Sequence, residues 1–425
     1  MKVLIISHLP VSTRNNMGKT FLSLFSEVER QELCQFYIYP SYPAQVRCAS
    51  FYRVTDKEIL KSLPLCRKVG GCVEPERIAQ DQGLYENPED ESFYRDRKNK
   101  SAARRLLRDG IWRMGNWYNA NLRRWLDEQK PDCIFLAPGP AKFIYNVALK
   151  ISKAYSIPIV TYMCDEYYFV DTPKGLLPRI QVRLLQKKIR QTIRASEALV
   201  VICDELKQAY SQFGTPITTV MTGASFRVVD KPVSETQPDA ICYFGNIRCN
   251  RYLSLAKVGQ ALDALNEKLG TDYKLKIYTS EKNPEILSVF DGIDSVVLPG
   301  FVTGEAYVRE FDKAQLLLHV EAFDDASIAY VRHSVSTKIA DSLAGGKPLL
   351  AFGPAEVASM GHLLRNGCAI AATGEVVLEA MLLTAFTDDD ARRKTVEAAL
   401  DTARTYHDSA IVGQTIKTIL AGVEK

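Results

Sequence analysis

Short runs of consecutive apolar residues recur along this chain, separated by longer segments in which apolar positions return every three or four residues. The runs read as strands buried on both faces, and the periodic segments as helices that cover them. Predicted strands in the first half are residues 2–7, 34–39, 132–137, 157–163, 198–203 and 217–221. In the second half they are 240–244, 274–279, 295–298, 315–320 and 348–352. This order predicts parallel sheets wrapped by helices, an α/β chain. The first run, Met1 to Ser7, stops at His8 and Pro10, too soon for a secretory signal. No run approaches the roughly 20 apolar residues of a spanning helix.

With 425 residues the chain exceeds what one core supports, so two domains are expected. Residues 227–239 are polar, proline-containing and aperiodic, which marks a linker. The expected organisation is a Rossmann-like domain over 1–230, a second over 238–405, and a C-terminal helix from 406 onward. The charged stretch 80–100 reads as a surface insertion in the first domain.

Charge divides unevenly: residues 1–230 hold 34 Lys and Arg against 24 Asp and Glu, the remainder 20 against 26. The basic half therefore suits an anionic surface. Within it, Arg179, Arg183, Lys187, Arg190 and Arg194 follow steps of four, four, three and four, stacking on one helical face opposite Leu185, Ile189 and Ile193. A second group, Arg104, Arg105, Arg108, Arg113, Arg123 and Arg124, alternates with Trp112, Trp117 and Trp125. That mixture fits a membrane interface, or a solvated face whose tryptophans belong to the core. No nucleic-acid recognition motif accompanies the basic residues. Ten scattered cysteines without paired spacing read as reduced core thiols of a cytoplasmic protein and supply no metal site.

Met17-Gly18-Lys19-Thr20 imitates the end of a phosphate loop. Thr13 stands where that loop needs glycine, so Gly18 serves either close backbone approach to a ligand at a strand end or a helix-starting turn. The segment from Arg332 to Leu350 is more informative. Ser336 or Thr337 can cap a short helix that Gly345, Gly346 and Pro348 terminate. Its start combines free backbone N–H groups, two hydroxyls and Lys338, a set that grips a diphosphate without a metal. Asp341, one turn on, can accept from a ribose diol. Glu321, at the end of a predicted strand, can hold a sugar hydroxyl.

This segment, together with Val220-Met221-Thr222-Gly223-Ala224-Ser225 and Tyr243-Phe244-Gly245-Asn246-Ile247, resembles the GT4-like, GT-B glycosyltransferases of bacterial surface-polysaccharide synthesis. Pro131-Asp132, the run from Ile157 to Tyr162, and Gly300-Phe301-Val302 extend the likeness along nearly the whole chain. The resemblance implies the GT-B fold: two doubly wound domains facing a cleft, the first for the acceptor, the second for the nucleotide sugar, with a last helix returning to the first. It assigns Asp341 to the second acid of the family's E-x7-E motif, with His333 at the place of the first. It makes Arg248 and Arg251, after the Gly245 turn, the pair that neutralises the leaving diphosphate. Ser336, Thr337 and Lys338 become the phosphate grip, with Gly18, Gly245, Val302 and Glu321 also lining the donor. Asp165 is implied to face the acceptor hydroxyl as a base, with Cys164 where relatives carry histidine.

The expected reaction moves a sugar from a nucleotide diphosphate, UDP being the expected nucleotide, to a lipid-linked glycan, without a metal or other cofactor. Two alternatives stand beside it: a nucleotide-sugar epimerase and a non-catalytic scaffold of the same fold. The chain is expected in the cytoplasm, with peripheral contact to the inner face of the plasma membrane through the five-residue basic stripe.

Overall fold

The computed structural model describes residues 1–12, 16–43, 47–74, 101–171, 173–231 and 240–423. The predicted insertion at 80–100 and most of the predicted linker lie outside the described residues. By contacts the chain divides into two compact units, Met1–Met221 with Val412–Lys425, and Thr222–Ile411.

The N-terminal unit is built on eight strands: β1 (Val3–Ser7), β2 (Leu33–Tyr37), β3 (Ser50–Arg53), β4 (Gly71–Cys72), β5 (Cys133–Ala137), β6 (Ile159–Met163), β7 (Ala198–Val201) and β8 (Ile217–Thr219). Their order in the sheet is β4-β3-β2-β1-β5-β6-β7-β8, parallel throughout except that β4 runs antiparallel to β3. Every residue of β1, β2, β5 and β6 is buried, which is why these strands read as apolar runs, with Ser7, Gln35 and Thr161 as their only polar members. The chain leaves β1 in one direction and resumes at β5 in the other, so a topological switch point lies between them.

The C-terminal unit carries β9 (Ala240–Phe244), β10 (Lys274–Tyr278), β11 (Val296–Val297), β12 (Leu316–Val320), β13 (Leu349–Phe352) and β14 (Ile370–Ala372), in the all-parallel order β11-β10-β9-β12-β13-β14. Its switch point falls between β9 and β12. Two apolar layers flank this sheet, one gathered around Leu255, Leu262, Leu275 and Leu382, the other around Phe311, Ile339, Leu343 and Leu400. Parallel neighbours require crossover connections, and helices supply them in both units.

Three observed strands lie outside the prediction. β3 and β14 hold only two and one large or branched apolar residues, and β4 is a two-residue exposed edge, so none forms an apolar run. The predicted strand 295–298 shrinks to Val296–Val297 at the other edge. Asp388 of the triple-aspartate run caps the Asp389–Thr402 helix, its side chain accepting from the Ala391 N–H. The last helix, Ser409–Gly422, packs so closely at Gly413 that a Cβ there would stand 2.1 Å from Ser26 Oγ and 2.9 Å from Glu27 N. Any side chain at that position would have to push the helix away.

Candidate functional site

In the C-terminal unit the carboxyl ends of β9 and β12 border the switch point, where open α/β sheets bind ligands. Strand β9 ends at Phe244, and the Gly245 N–H donates to Tyr278 O at 3.1 Å. The loop that follows is tightly specified. Tyr243 Oη donates to Asn246 O (2.8 Å), Arg248 N–H donates to Asn246 Oδ1 (2.7 Å), and Asn250 Nδ2 donates to Asp324 Oδ2 (3.0 Å). Cys249 and Asn250 both take left-handed backbone, φ 55° and 56°. A non-glycine residue in that region costs on the order of 1 kcal/mol or more and persists only where its surroundings over-determine it.

This loop delivers Arg251 as the first residue of the Arg251–Leu269 helix. Its Nε and Nη2 donate to the two carboxylate oxygens of Glu321 at 2.9 and 3.1 Å, a bidentate pair. Glu321 follows β12 and is 2% exposed. Burial pushes its carboxyl up while Arg251 pulls against that shift; for Arg251 burial opposes the charge, and Glu321 more than offsets it. Ser359 Oγ donates to Glu321 Oε1 at 3.3 Å. His319, two residues back on β12, is held neutral by burial and by Arg251, its pKa lowered to about 3, with Nε2 lying 3.5 Å from Glu321 Oε1. The sequence reading put Glu321 at the strand end with its carboxylate open to a sugar. The strand-end position stands, and the carboxylate is instead buried beneath Arg251, because a charge this deep needs a partner.

The Thr337–Ala344 helix begins at the same end of the sheet, since it leads into parallel β13. Ser336, not Thr337, is its cap, with Oγ accepting from Lys338 N–H at 3.4 Å; Gly345 ends it. Ser334 to Lys338 are half-buried. Lys338 Nζ rides over the Tyr307 ring, 4.5 Å from its centre. Tyr307 Oη in turn donates to Asp341 Oδ2 at 3.0 Å, and burial together with Asp341 keeps that phenol protonated. Asp341 is 3% exposed and also accepts from Ser225 N–H (2.7 Å) and Ser225 Oγ (3.3 Å). Of about four acceptor sites on a carboxylate, these donors fill three. Val302, half-buried, packs on the same apolar layer as Tyr307.

The two predicted arginines are thus engaged separately. Arg251 pairs with Glu321, and the exposed Arg248 donates through Nε to Glu281 at 2.6 Å, which holds the Glu281 carboxyl down at about 2. Sequence reasoning missed Glu281, Tyr307 and Asp324, supports on which these cations rest. Ser225 carried a signal, since it closes the Val220–Ser225 segment used for the resemblance.

In the N-terminal unit Gly18 lies in the first turn of the Asn16–Leu24 helix, where a Cβ would stand 2.1 Å from Ser12 O. The close backbone approach at Gly18 is to Ser12. Asp165 follows β6 and accepts from Tyr167 Oη at 3.1 Å, beside Cys164, whose thiol burial pushes up. The five basic residues from Arg179 to Arg194 are all exposed on the Leu176–Arg194 helix. The tryptophans correct the interface reading. Trp112, Trp117 and Trp125 are buried, Trp112 Nε1 donating to Asp56 (2.6 Å) and Trp125 Nε1 to Ser50 Oγ (2.7 Å); the half-buried Arg108 also pairs with Asp56 at 2.9 Å, and the other five arginines of the group are exposed. The thiols need a correction too: Cys66, Cys72 and Cys249 are exposed. Among the described residues no helix is long and apolar enough to cross a membrane.

Neither a protein-family model nor a curated protein matches this sequence. Solved structures do. Anabaena Alr3699/HepE in complex with UDP aligns over 99% of this chain and 100% of its own, with TM-score 0.63 and 11% identity. Sucrose-phosphate synthase from Thermosynechococcus elongatus aligns over 99% of both chains at TM-score 0.61 and 8% identity. The UDP-forming α,α-trehalose-phosphate synthase of Burkholderia vietnamiensis aligns over the whole of both at 0.59 and 8%. These likenesses establish the fold: two Rossmann-like α/β domains of the GT-B kind.

Proposed function

We propose that the protein is a glycosyltransferase that moves a hexosyl group from UDP to a lipid-linked glycan in cell-surface polysaccharide synthesis. The observation that carries this reading is the set of groups at one end of the C-terminal sheet: the preorganised Arg251, the Ser336-capped helix start and Lys338. As the anomeric C–O bond breaks, negative charge collects on the departing diphosphate. Fixed donors aimed at that charge are worth about 3 to 4 kcal/mol each in a site shielded from water. Arg251, fixed by Glu321, and Lys338, fixed over Tyr307, meet that need without a metal. Arg248 adds charge at the rim, while Gly245 and Val302 border the donor. Asp341 retains about one acceptor site for a ribose hydroxyl. Thr337 contributes its N–H and hydroxyl to the phosphates.

UDP is supported by a fold neighbour that was solved with UDP, with UDP and glucose, and with UDP-glucose. On the N-terminal unit we assign Asp165 to the acceptor hydroxyl, held in place by Tyr167. The exposed basic helix supports a peripheral membrane contact on the cytoplasmic side, where anionic lipid attracts Lys and Arg.

The test is calorimetric titration with UDP. Lys338→Ala and Arg251→Lys are each expected to weaken binding about tenfold or more, since a hydrogen bond to a charged group is worth about 1.5 to 3 kcal/mol. Wild-type affinity in both variants would overturn the assignment.

A further inference from the structure

The N-terminal unit holds a cavity of about 480 Å³ that the donor site does not use. Three helices form it. Lys142, Asn146 and Lys150 present one face of the Lys142–Tyr155 helix, at spacings of four. Leu184, Lys187, Lys188 and Gln191 present one face of the Leu176–Arg194 helix, at spacings of three and four. Asp109, Trp112 and Arg113 close the third side from the Ala102–Met114 helix.

The lining is built for an anion. It carries five cations, Arg113, Lys142, Lys150, Lys187 and Lys188, against one acid, Asp109. That acid is committed to Lys142, 3.8 Å away, and the other four cations form no ion pair among the described residues. Lys188 is crowded by burial and by Lys142 and Lys187, which together push its pKa down. Like charges gathered this closely repel until an anion arrives. The floor is rigid: Trp112 stacks on Phe143 with ring centres 4.2 Å apart, and Lys150 Nζ stands 5.2 Å from the Trp117 ring centre.

One edge of the cavity is apolar. Leu184 continues along its helix face into Ile180, Leu177 and Leu176, all exposed, Leu176 by 74%. Exposed branched side chains running up to a nest of five cations with a single acid match a ligand with a phosphate at one end and hydrocarbon at the other.

We propose that this cavity receives the phosphate of an anionic amphiphile in a bilayer surface, with the hydrocarbon end against Leu176, Leu177, Ile180 and Leu184. The inference rests on the membrane contact of the proposed function and turns it from a diffuse stripe into a pocket. A bulk phospholipid and a prenyl-linked phosphate share this chemistry.

The full chain is sedimented with phosphatidylcholine vesicles containing phosphatidic acid, or a prenyl phosphate, at matched surface charge. Lys187→Gln with Lys188→Gln removes two cavity cations, and so does Arg113→Gln with Lys150→Gln, drawn from the other two helices. Arg179→Gln with Arg194→Gln removes the same charge from the basic stripe outside the cavity lining. Each cavity pair is expected to lower vesicle partitioning about thirtyfold and the control pair about threefold or less. Tighter binding to one vesicle type assigns the source of the phosphate. Equal losses in all three pairs, or no binding to any vesicle, would overturn the pocket, as would capture of glycerol 3-phosphate without vesicle binding. UDP titration of the same variants is expected to match wild type, which separates the two readings. Lost UDP binding with intact sedimentation would count against the transferase and leave the cavity standing.

Discussion

The two units share a doubly wound plan, and the cations of the donor site and those around the N-terminal cavity are held in different ways. In the C-terminal unit, Arg251 is locked to a buried glutamate, Arg248 to Glu281, and Lys347 Nζ to the carbonyls of Asp312 and Ala314. In the N-terminal unit, Arg113, Lys150, Lys187 and the basic stripe stand at the surface without acids. Fixed cations hold one geometry and suit recognition of a small group whose charge must be met at defined points. Unpaired cations act at a distance, over about 8 to 10 Å at physiological salt, and draw the chain toward an anionic partner. The difference predicts that the C-terminal unit is sensitive to loss of single polar groups and that the outer face of the N-terminal unit is not.

Acid is expected to break this contrast most strongly. Four of the five histidines lie in the C-terminal unit, and His319, His362 and His407 are buried there with pKa values lowered to about 3, 3 and 4. Burial is the main cause in each. His407 Nδ1 faces Thr222 O at 2.8 Å, so it carries the proton and donates. Its Nε2 must then accept from His362 Nε2–H at 3.1 Å, and His362 Nδ1 is left to face the Asn366 amide. Both rings are neutral, and adding a proton disrupts the chain of bonds. Depressed values mean that this stability is present above about pH 6.5 and is lost as pH falls toward 4, at up to about 1.4 kcal/mol per pH unit for each ring. Thermal unfolding followed at pH 7 and pH 4.5 is expected to lower the C-terminal transition by more than the N-terminal one. Equal shifts would contradict the contrast.

Removing one partner of the buried pair comes next. Arg251→Ala leaves Glu321 charged, 2% exposed and unpaired, at an expected cost of about 3 to 5 kcal/mol. Urea unfolding is expected to move only the C-terminal transition. Restoring balance with Glu321→Gln in the same chain is expected to recover much of the loss, because the penalty belongs to the orphaned charge.

How much of this was legible follows from what each feature depends on. The sheets were readable because a strand buried on both faces is largely apolar, as Val3 to Ile6 and Cys133–Ala137 are. The short helix at Thr337 was readable because capping chemistry is local, set by Ser336 and Gly345. The state of Glu321 and Asp341 was not readable. Their partners lie 70 and 116 residues away at Arg251 and Ser225, and no local pattern announces a long-range pair. Likewise the basic stripe was visible as helical spacing, but the cavity beside it needed three helices to meet. The left-handed turn at Cys249 and Asn250 escaped notice because neither residue is glycine.

Asp341→Ala tests the middle of the range. The substitution strands the Tyr307 hydroxyl and the Ser225 N–H and hydroxyl around a carboxylate that was 3% exposed. Leaving a buried donor unmet costs about 1 to 3 kcal/mol. Losing Tyr307's anchor also frees the platform beneath Lys338, so UDP affinity is expected to fall with stability. Asp341→Asn, which keeps an acceptor oxygen, is expected to recover part of both. A fall in stability alone, with UDP affinity unchanged, would confine Asp341 to a structural role.

The smallest expected effect on folding is also the sharpest test of the contrast. Arg183 and Arg190 are exposed on the Leu176–Arg194 helix and form no ion pair among the described residues. Reversing both to glutamate removes no buried contact, so the N-terminal transition is expected to move within about 0.5 kcal/mol. The same reversal exchanges attraction for repulsion at an anionic bilayer, a swing of four charges on a stripe whose cations, outside the cavity, each contribute a fraction of the about 1 kcal/mol of a cation held against the surface. Vesicle association should therefore fall steeply, and adding salt should weaken the wild type toward the variant. A double reversal that destabilised the unit by more than about 1 kcal/mol would mean that these cations are structural after all, like those of the C-terminal unit. Lost association with an unmoved transition is the outcome required if charge on this face serves a partner and not the fold.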